Sequence, residues 1–175
     1  MAPWHETMEE YRQLLQKGAV QQAYRGLMQY ILDLRAHLKH KYPDHSVSSS
    51  LYQGTMDMTY FAFTPGSLRE RNLKIAIVFV HEAFRFEVWL AGANKQVQGA
   101  TWRLFRESGW DQYPVVPTTE GMDAIVEHVL AEDPDWQDLD ALTARIEEGT
   151  LRFIADVEGF LATHPLAAIA AAPAS

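Results

Sequence analysis

The amino-acid sequence predicts an α+β fold, because its hydrophobic periodicity changes twice along the chain. Apolar residues recur every three or four positions up to about residue 41, alternate with a period of two over residues 47–91, and then return to helical spacing. Helices, then strands, then helices again are typical of folds that segregate the two kinds of element. We therefore expect an antiparallel sheet of about four strands (residues 47–91), preceded by a helical hairpin and followed by three helices.

Two amphipathic helices are predicted at the N-terminus. The first carries an apolar stripe with spacings of four, three and four residues: Trp4, Met8, Tyr11 and Leu15. Gly18 interrupts the pattern, and a second stripe then runs from Val20 to Leu38. Pro43 ends the second helix, whose last turn is rich in cations that suit the negative end of a helix dipole.

Four strands follow, with the sequences SVSSSLYQG, MDMTYFAFT, LKIAIVFV and FRFEVWLA. Pro65 and Gly66 mark the turn between the second and third strands, and residues 81–83 form a tight connection between the third and fourth. Connections this short favour antiparallel neighbours, because parallel strands need a long crossover. The second and third strands are apolar on both faces, which predicts a central place in the sheet.

Three helices are predicted after the sheet, over residues 94–108, 117–130 and 139–161, with a short strand at 113–116. Residues 1–164 are expected to form one domain of ordinary globular composition, in which 47% of residues are hydrophobic and 22% are charged. The Ala- and Pro-rich residues 165–175 are expected to form a mobile tail.

The composition and the charge distribution disfavour several classes of protein. The N-terminus lacks a basic segment followed by an apolar run, and no stretch of about 18 uninterrupted apolar residues occurs, so neither a signal peptide nor membrane insertion is expected. Residues 109–175 carry 2 basic and 13 acidic side chains, which would repel a phosphate backbone, so no nucleic-acid partner is expected. The absence of cysteine excludes disulfides and thiolate chemistry and suits a reducing compartment.

The sequence contains no complete metal-binding motif, and we expect no metal or cofactor. His81 and Glu82 begin like a zinc-protease motif, but its last position is Arg85 rather than histidine. His37 and His40 could share a helix face, although a solvated helix end explains them more simply.

The acidic segment 132–138 resembles a calcium loop only superficially. A loop that starts at Asp133 needs glycine at its sixth position, where Asp138 stands. We expect instead that Asp135 or Asp138 caps the following helix.

Two carboxylates lie within otherwise apolar strands, namely Asp57 and Glu87. Restriction-type nucleases place an aspartate on one strand and Glu-x-Lys on the next, but Glu87 is followed by Val88 and Trp89, so the lysine is missing. A hydrolase-like enzyme that uses Asp57 or Glu87 as general base is an alternative function. The simpler interpretation of Glu87 is an ion pair with Arg85 on the same strand face.

Six segments carry a family resemblance: YQGTMDMTYF (52–61), LKIAIVFVHEAFRFEVWLAGANKQVQ (73–98), SGW (108–110), VPTTEG (116–121), KGAVQQAYRGLMQYI (17–31) and GTLRFIADVEGFL (149–161). Together they resemble an uncharacterised family of small bacterial proteins, a domain of unknown function, over nearly the whole chain apart from the tail. The resemblance implies a cytoplasmic bacterial protein. It implies no activity, cofactor or catalytic residue.

The segment FRFEVWLA carries the most specific functional signal. Arg85, Glu87 and Trp89 alternate with an apolar series that runs from Phe84 to Leu90. A solvated strand face rarely places tryptophan in line with a single Arg–Glu pair, and Trp and Arg are enriched where surfaces bind partners. The candidate binding surface comprises Tyr52, Asp57, Tyr60, Arg85, Glu87 and Trp89.

We therefore expect a soluble cytoplasmic domain that binds a small ligand or a protein partner, rather than an enzyme. The alternatives are the hydrolase-like enzyme and a structural or oligomeric module whose sheet face is an interface. A homo-oligomer fits either binding or structural function.

Overall fold

The computed structural model describes residues 1–165, so the predicted tail lies, apart from Pro165, outside the described residues. Five helices are present in the described chain: α1 (Trp4–Gln16), α2 (Ala19–Lys41), α3 (Gly66–Arg69), α4 (Lys95–Glu107) and α5 (Leu139–Thr163). Six strands accompany them: β1 (Ser46–Val47), β2 (Tyr52–Gln53), β3 (Met58–Thr64), β4 (Leu73–Val80), β5 (Arg85–Gly92) and β6 (Val126–Ala131). The α+β class is confirmed.

Residues 1–37 and the residues from Leu38 onward form two compact units. The first contains α1 and most of α2, which are separated at Gly18, where φ is +74°. Pairing of these helices as a hairpin, and a single domain over residues 1–164, stay predictions.

The sheet is antiparallel throughout and follows the order β1-β3-β4-β5-β6, with β2 also paired to β3. The prediction of four strands was therefore too low. The segment SVSSSLYQG forms two short strands rather than one, and the sixth strand, β6, comes from a segment predicted to be helical. Strands β3, β4 and β5 are interior, which confirms the central place predicted for β3 and β4, and the outer edge of β3 is paired with the short strands β1 and β2.

The predicted helix over residues 117–130 is wrong, because its second half forms β6. In β6, Glu127 pairs with Trp89, and just before the strand the amide of Ile125 donates to the carbonyl of Leu90 at 2.7 Å. Without this strand, the backbone groups along one edge of β5 would lack partners, which is costly in a buried segment. The short strand predicted at 113–116 is reduced to a bridge between Val115 and Val126.

Helix α5 covers one face of the sheet. On β6 the ring of His128 stacks on Phe153 of α5, with centroids 6.4 Å apart. The same face carries Phe61, Ile77 and Val88, which are fully buried, so the core of the second unit lies between this face and the helices.

The residue Phe84 does not continue the apolar face of β5, as its sequence position predicted. It lies in the turn before the strand, with φ at +53°, and its side chain is 55% exposed. The strand begins at Arg85, which pairs with Val80 across the turn.

The cap predicted for the last helix is confirmed at one of its two candidate positions. The Asp138 carboxylate accepts a hydrogen bond from the amide of Ala141 at 3.0 Å. This satisfies one of the free amides at the start of α5.

Candidate functional site

The sheet face opposite α5, here called the open face, carries the alternate residues of β3 to β6. Register places Tyr60 beside Val78 and Ala76 beside Trp89, and Trp89 in turn beside Glu127. A cleft with a volume of about 700 Å³ lies on this face. We call it the open-face cleft, and it is lined by Ser48, Ser50, Leu51, Tyr52, Asp57, Met58, Tyr60, Ala62, Lys74, Ala76, Trp89, Ala91, Gly92 and Asp123.

The floor of the open-face cleft is made of alanines. Ala62 and Ala76 are paired across β3 and β4, and Ala91 pairs with Lys74 across β4 and β5. All three alanines are half-buried. Because a methyl group extends little above a sheet, three adjacent alanines leave a depression where larger side chains would fill the space.

Aromatic rings border this floor. Tyr52 and Tyr60 are paired across β2 and β3, and their rings stack with centroids 4.8 Å apart and an interplanar angle of 27°. Trp89 stands on β5, two strands from Tyr60. Tyr60 lies two residues from Ala62 on β3, and Trp89 lies opposite Ala76 on the neighbouring strand. The stacked tyrosine pair and the tryptophan therefore border the floor.

Polar groups of both signs complete the lining. Asp57 accepts a hydrogen bond from the amide of Met58 at 2.8 Å, and this bond holds the pKa of the Asp57 carboxyl below its usual value. Burial, with the nearby Tyr52 and Asp123, raises the pKa of the Tyr60 hydroxyl, which stays protonated at neutral pH and can donate a hydrogen bond. Lys74 supplies the ammonium group of the cleft.

The Arg85–Glu87 pair predicted from the sequence is present, and it also holds Trp89. The Glu87 side chain accepts from Arg85 Nε at 2.7 Å and from Trp89 Nε1 at 2.6 Å, one bond to each oxygen. Arg85 also donates to Glu132 at 3.0 Å. Glu87 is only 5% exposed, so these charge-assisted bonds lie in a shielded environment and fix the tryptophan ring.

The structure thus divides the six predicted surface residues into two groups. Tyr52, Asp57, Tyr60 and Trp89 line the open-face cleft, whereas Arg85 and Glu87 lie beside it on β5 and orient Trp89.

Sequence reasoning missed several residues of this face. Lys74 is the single charge in the strand LKIAIVFV, and that alternation could have revealed it. Glu127 was hidden by the helical interpretation of its segment. It is half-buried, and burial together with the charge of Glu87 raises its pKa, while Arg85 acts in the opposite direction.

A second cavity, of about 610 Å³, adjoins the open-face cleft and shares Gly92 and Asp123 with it. Its lining includes Asn94 and Lys95 at the start of α4. Asn94 caps this helix by accepting from the amide of Val97 at 2.9 Å.

Within residues 1–165, no group of three or more His, Cys, Asp or Glu side chains is arranged to hold a metal ion. None of the helices in this part of the chain has the length and apolar character needed to cross a bilayer.

The fold is α+β, and the open-face cleft lies on the sheet face opposite α5. The chain belongs to the family described as "Domain of unknown function (DUF7000)", whose sequence model matches residues 4–161, and the predicted resemblance to an uncharacterised family is thereby confirmed. No curated protein and no solved structure matches the chain.

Proposed function

We propose that the domain binds a small planar, aromatic molecule in the open-face cleft. The observation that carries this proposal is the group of three alanines bordered by the Tyr52–Tyr60 pair and Trp89. A flat molecule that lies on this alanine floor gains contact with the sheet below and with the aromatic rings beside it. Offset or edge contacts between aromatic rings contribute about 0.5–1.5 kcal/mol beyond the area they bury.

The polar lining supports a ligand that carries both hydrogen-bond donors and acceptors. The Asp57 carboxylate accepts only, the Lys74 ammonium donates only, and the Tyr60 hydroxyl can do both. Such a mixture suits a substituted heterocycle better than a plain hydrocarbon ring, which would leave these groups without partners on binding.

Preorganisation also supports a binding role. Trp89 is held by Glu87, and Tyr60 is held by its stacking on Tyr52. Side chains that are already ordered lose less conformational entropy when a ligand arrives. The cleft can therefore bind without first ordering two of its main contact residues.

The enzymatic alternative has less support. The lowered pKa of Asp57 makes it a weak base at neutral pH. Both oxygens of Glu87 already accept hydrogen bonds, from Arg85 and Trp89. The Glu87 side chain is also only 5% exposed, so it has little access to a substrate in the cleft.

The test is ligand-observed NMR with a panel of substituted aromatic heterocycles, each paired with its saturated ring of similar size. We expect the full chain to bind members of the aromatic set and not their saturated counterparts. The variant Ala76→Leu fills the centre of the floor and should abolish binding. Ala100→Leu, at a half-buried alanine of α4 outside the cleft, is the matched control and should bind normally.

Both variants must first show thermal midpoints close to that of the unmodified chain. Binding that survives Ala76→Leu would place the ligand elsewhere and contradict the proposal. Equal binding of saturated and aromatic rings would contradict the stacking role of the cleft walls.

A further inference from the structure

Helix α1 displays an apolar stripe that is largely exposed among the residues that the structure describes. The helix has 13 residues and no buried side chain. Trp4 is 77% exposed, Tyr11 49% and Met8 41%, and Leu15 is half-buried. These four residues share one face and line a shallow groove of about 610 Å³.

Helix α1 lacks a packed apolar face, which is the usual source of helical stability in proteins. Isolated helices shorter than about 12–15 residues are marginal in water, and most helical stability in proteins comes from packing of the apolar face. Exposed apolar surface of this extent generally marks an interface.

The order of the stripe matches a second copy of the same helix. The spacings between Trp4, Met8, Tyr11 and Leu15 are four, three and four residues, which read the same in both directions. Two such helices packed antiparallel about a two-fold axis place Trp4 against Leu15 of the second copy, and Met8 against Tyr11. A two-fold interface requires this self-complementarity.

Charge along α1 is complementary to itself in the same arrangement. Glu6, Glu9 and Glu10 lie in its first half, whereas Arg12, which is ion-paired with Glu9 at 2.7 Å, and then Lys17 lie towards its end. Antiparallel packing therefore brings the acidic half of one helix towards the basic end of the other.

The charge of the wider segment also favours association through α1. Residues 1–37 contain four basic and four acidic side chains and are neutral, whereas the whole chain has a net charge of −8. Two copies meet less repulsion through this neutral segment than through the acidic residues 109–175.

From these observations we infer that the apolar face of α1 is the interface of a homodimer, in which the two copies of α1 pack antiparallel.

The first test is analytical ultracentrifugation of the full chain over a wide range of concentrations. We expect a monomer–dimer equilibrium, and we expect Met8→Glu to weaken association on the order of tenfold or more by burying an unpaired charge. The matched control is Met56→Glu, at a methionine that is 75% exposed outside α1. It should leave the equilibrium unchanged. A monomer at every concentration, or equal weakening by both substitutions, would overturn the inference.

The second test determines the orientation, and the absence of native cysteine makes it direct. Mixing Trp4→Cys chains with Leu15→Cys chains under mild oxidation should give a disulfide-linked heterodimer, whereas Trp4→Cys chains alone should not cross-link efficiently. Efficient cross-linking of Trp4→Cys chains to one another would show parallel helices and overturn the antiparallel arrangement. Circular dichroism of each variant confirms that it is folded.

Discussion

Glu87 connects the two groups of predicted surface residues, because it binds Arg85 on one side and the cleft residue Trp89 on the other. At the scale of single residues, the sequence predicted this pair well. Alternation along one strand shows which side chains share a face, and an Arg–Glu pair on one face can be expected to interact. That Trp89 also donates to Glu87 depends on side-chain rotamers, which the alternation does not determine.

Replacement of Glu87 by Gln should destabilise the protein by about 1–3 kcal/mol. The amide keeps one acceptor oxygen but turns an NH₂ donor towards Arg85 or Trp89, so one buried hydrogen bond is lost. Urea unfolding of wild type and variant measures the change. Glu132→Gln is the control, because it removes an exposed partner of Arg85 and should cost less than about 1 kcal/mol. Equal losses in the two variants would contradict the structural role of Glu87.

A second prediction at this scale concerns Glu127. Because its pKa in the folded protein is raised above the usual glutamate value of 4.5, the folded chain retains a proton that the unfolded chain releases in the window above that value. The free energy of unfolding therefore falls as pH rises through this window. Glu127→Gln lacks this ionisation, so its stability relative to wild type should improve from below pH 4.5 to neutral pH.

Urea unfolding at several pH values tests this, together with NMR titration of the Glu127 carboxyl carbon. In Glu87→Gln chains the pKa of Glu127 should be lower than in wild type, because a negative neighbour has been neutralised. A Glu127 pKa that does not respond to Glu87→Gln would show that burial alone causes the shift.

At the scale of elements, the sequence predicted correctly whether a segment is a helix or a strand where one local pattern dominated. Strands β3, β4 and β5 are rich in β-branched and aromatic residues and are flanked by turn residues, and they were predicted at nearly their observed positions. The prediction for the segment of β6 was wrong because the apolar residues Met122, Ile125 and Val129 fall at helical spacing. Its conformation is determined by pairing with β5, a contact distant in sequence, and such tertiary pairing overrides local pattern.

The junction between β5 and α4 depends on Gly92. A Cβ atom at this position would lie 2.5 Å from the amide nitrogen of Gln98, which is backbone and cannot rotate away. Gly92→Ala should therefore cost about 1–3 kcal/mol by forcing the start of α4 away from the strand. Gly99→Ala, within α4, meets no atom within 4 Å and should instead stabilise the protein by about 0.5–1 kcal/mol. Denaturant unfolding compares the two, and an unchanged stability of Gly92→Ala would contradict the close approach at Gly92.

At the scale of the whole molecule, the order of helices and strands predicted the α+β class, because segregation of periods is visible without any tertiary information. The open-face cleft was only partly predictable. Tyr60 and Trp89 could be placed on strand faces. The alanine floor could not be predicted, because only the strand register brings Ala62, Ala76 and Ala91 together across three strands. Small residues give no signal in a hydrophobic pattern, and register depends on pairing that the pattern leaves open.

The distribution of burial along the chain predicts unequal local stability. Helix α1 buries no residue, whereas α5 buries eight, including Phe153 and Val157. Local opening costs little free energy where few apolar contacts are lost, so amide hydrogens of α1 should exchange much faster than those of α5 in the monomer.

Hydrogen exchange followed by mass spectrometry, at low and at high protein concentration, tests this difference together with the proposed dimer. At low concentration α1 should exchange rapidly, because its hydrogen bonds are exposed to water and its apolar face contributes little. At high concentration a second copy covers Met8 and Tyr11, so α1 alone should gain protection, while α5, whose contacts lie within one chain, should exchange at an unchanged rate. Met8→Glu should remove the concentration dependence without altering α5. Protection of α1 equal to that of α5 at the lowest concentration would mean that contacts within one chain stabilise α1, contrary to the absence of buried residues in this helix.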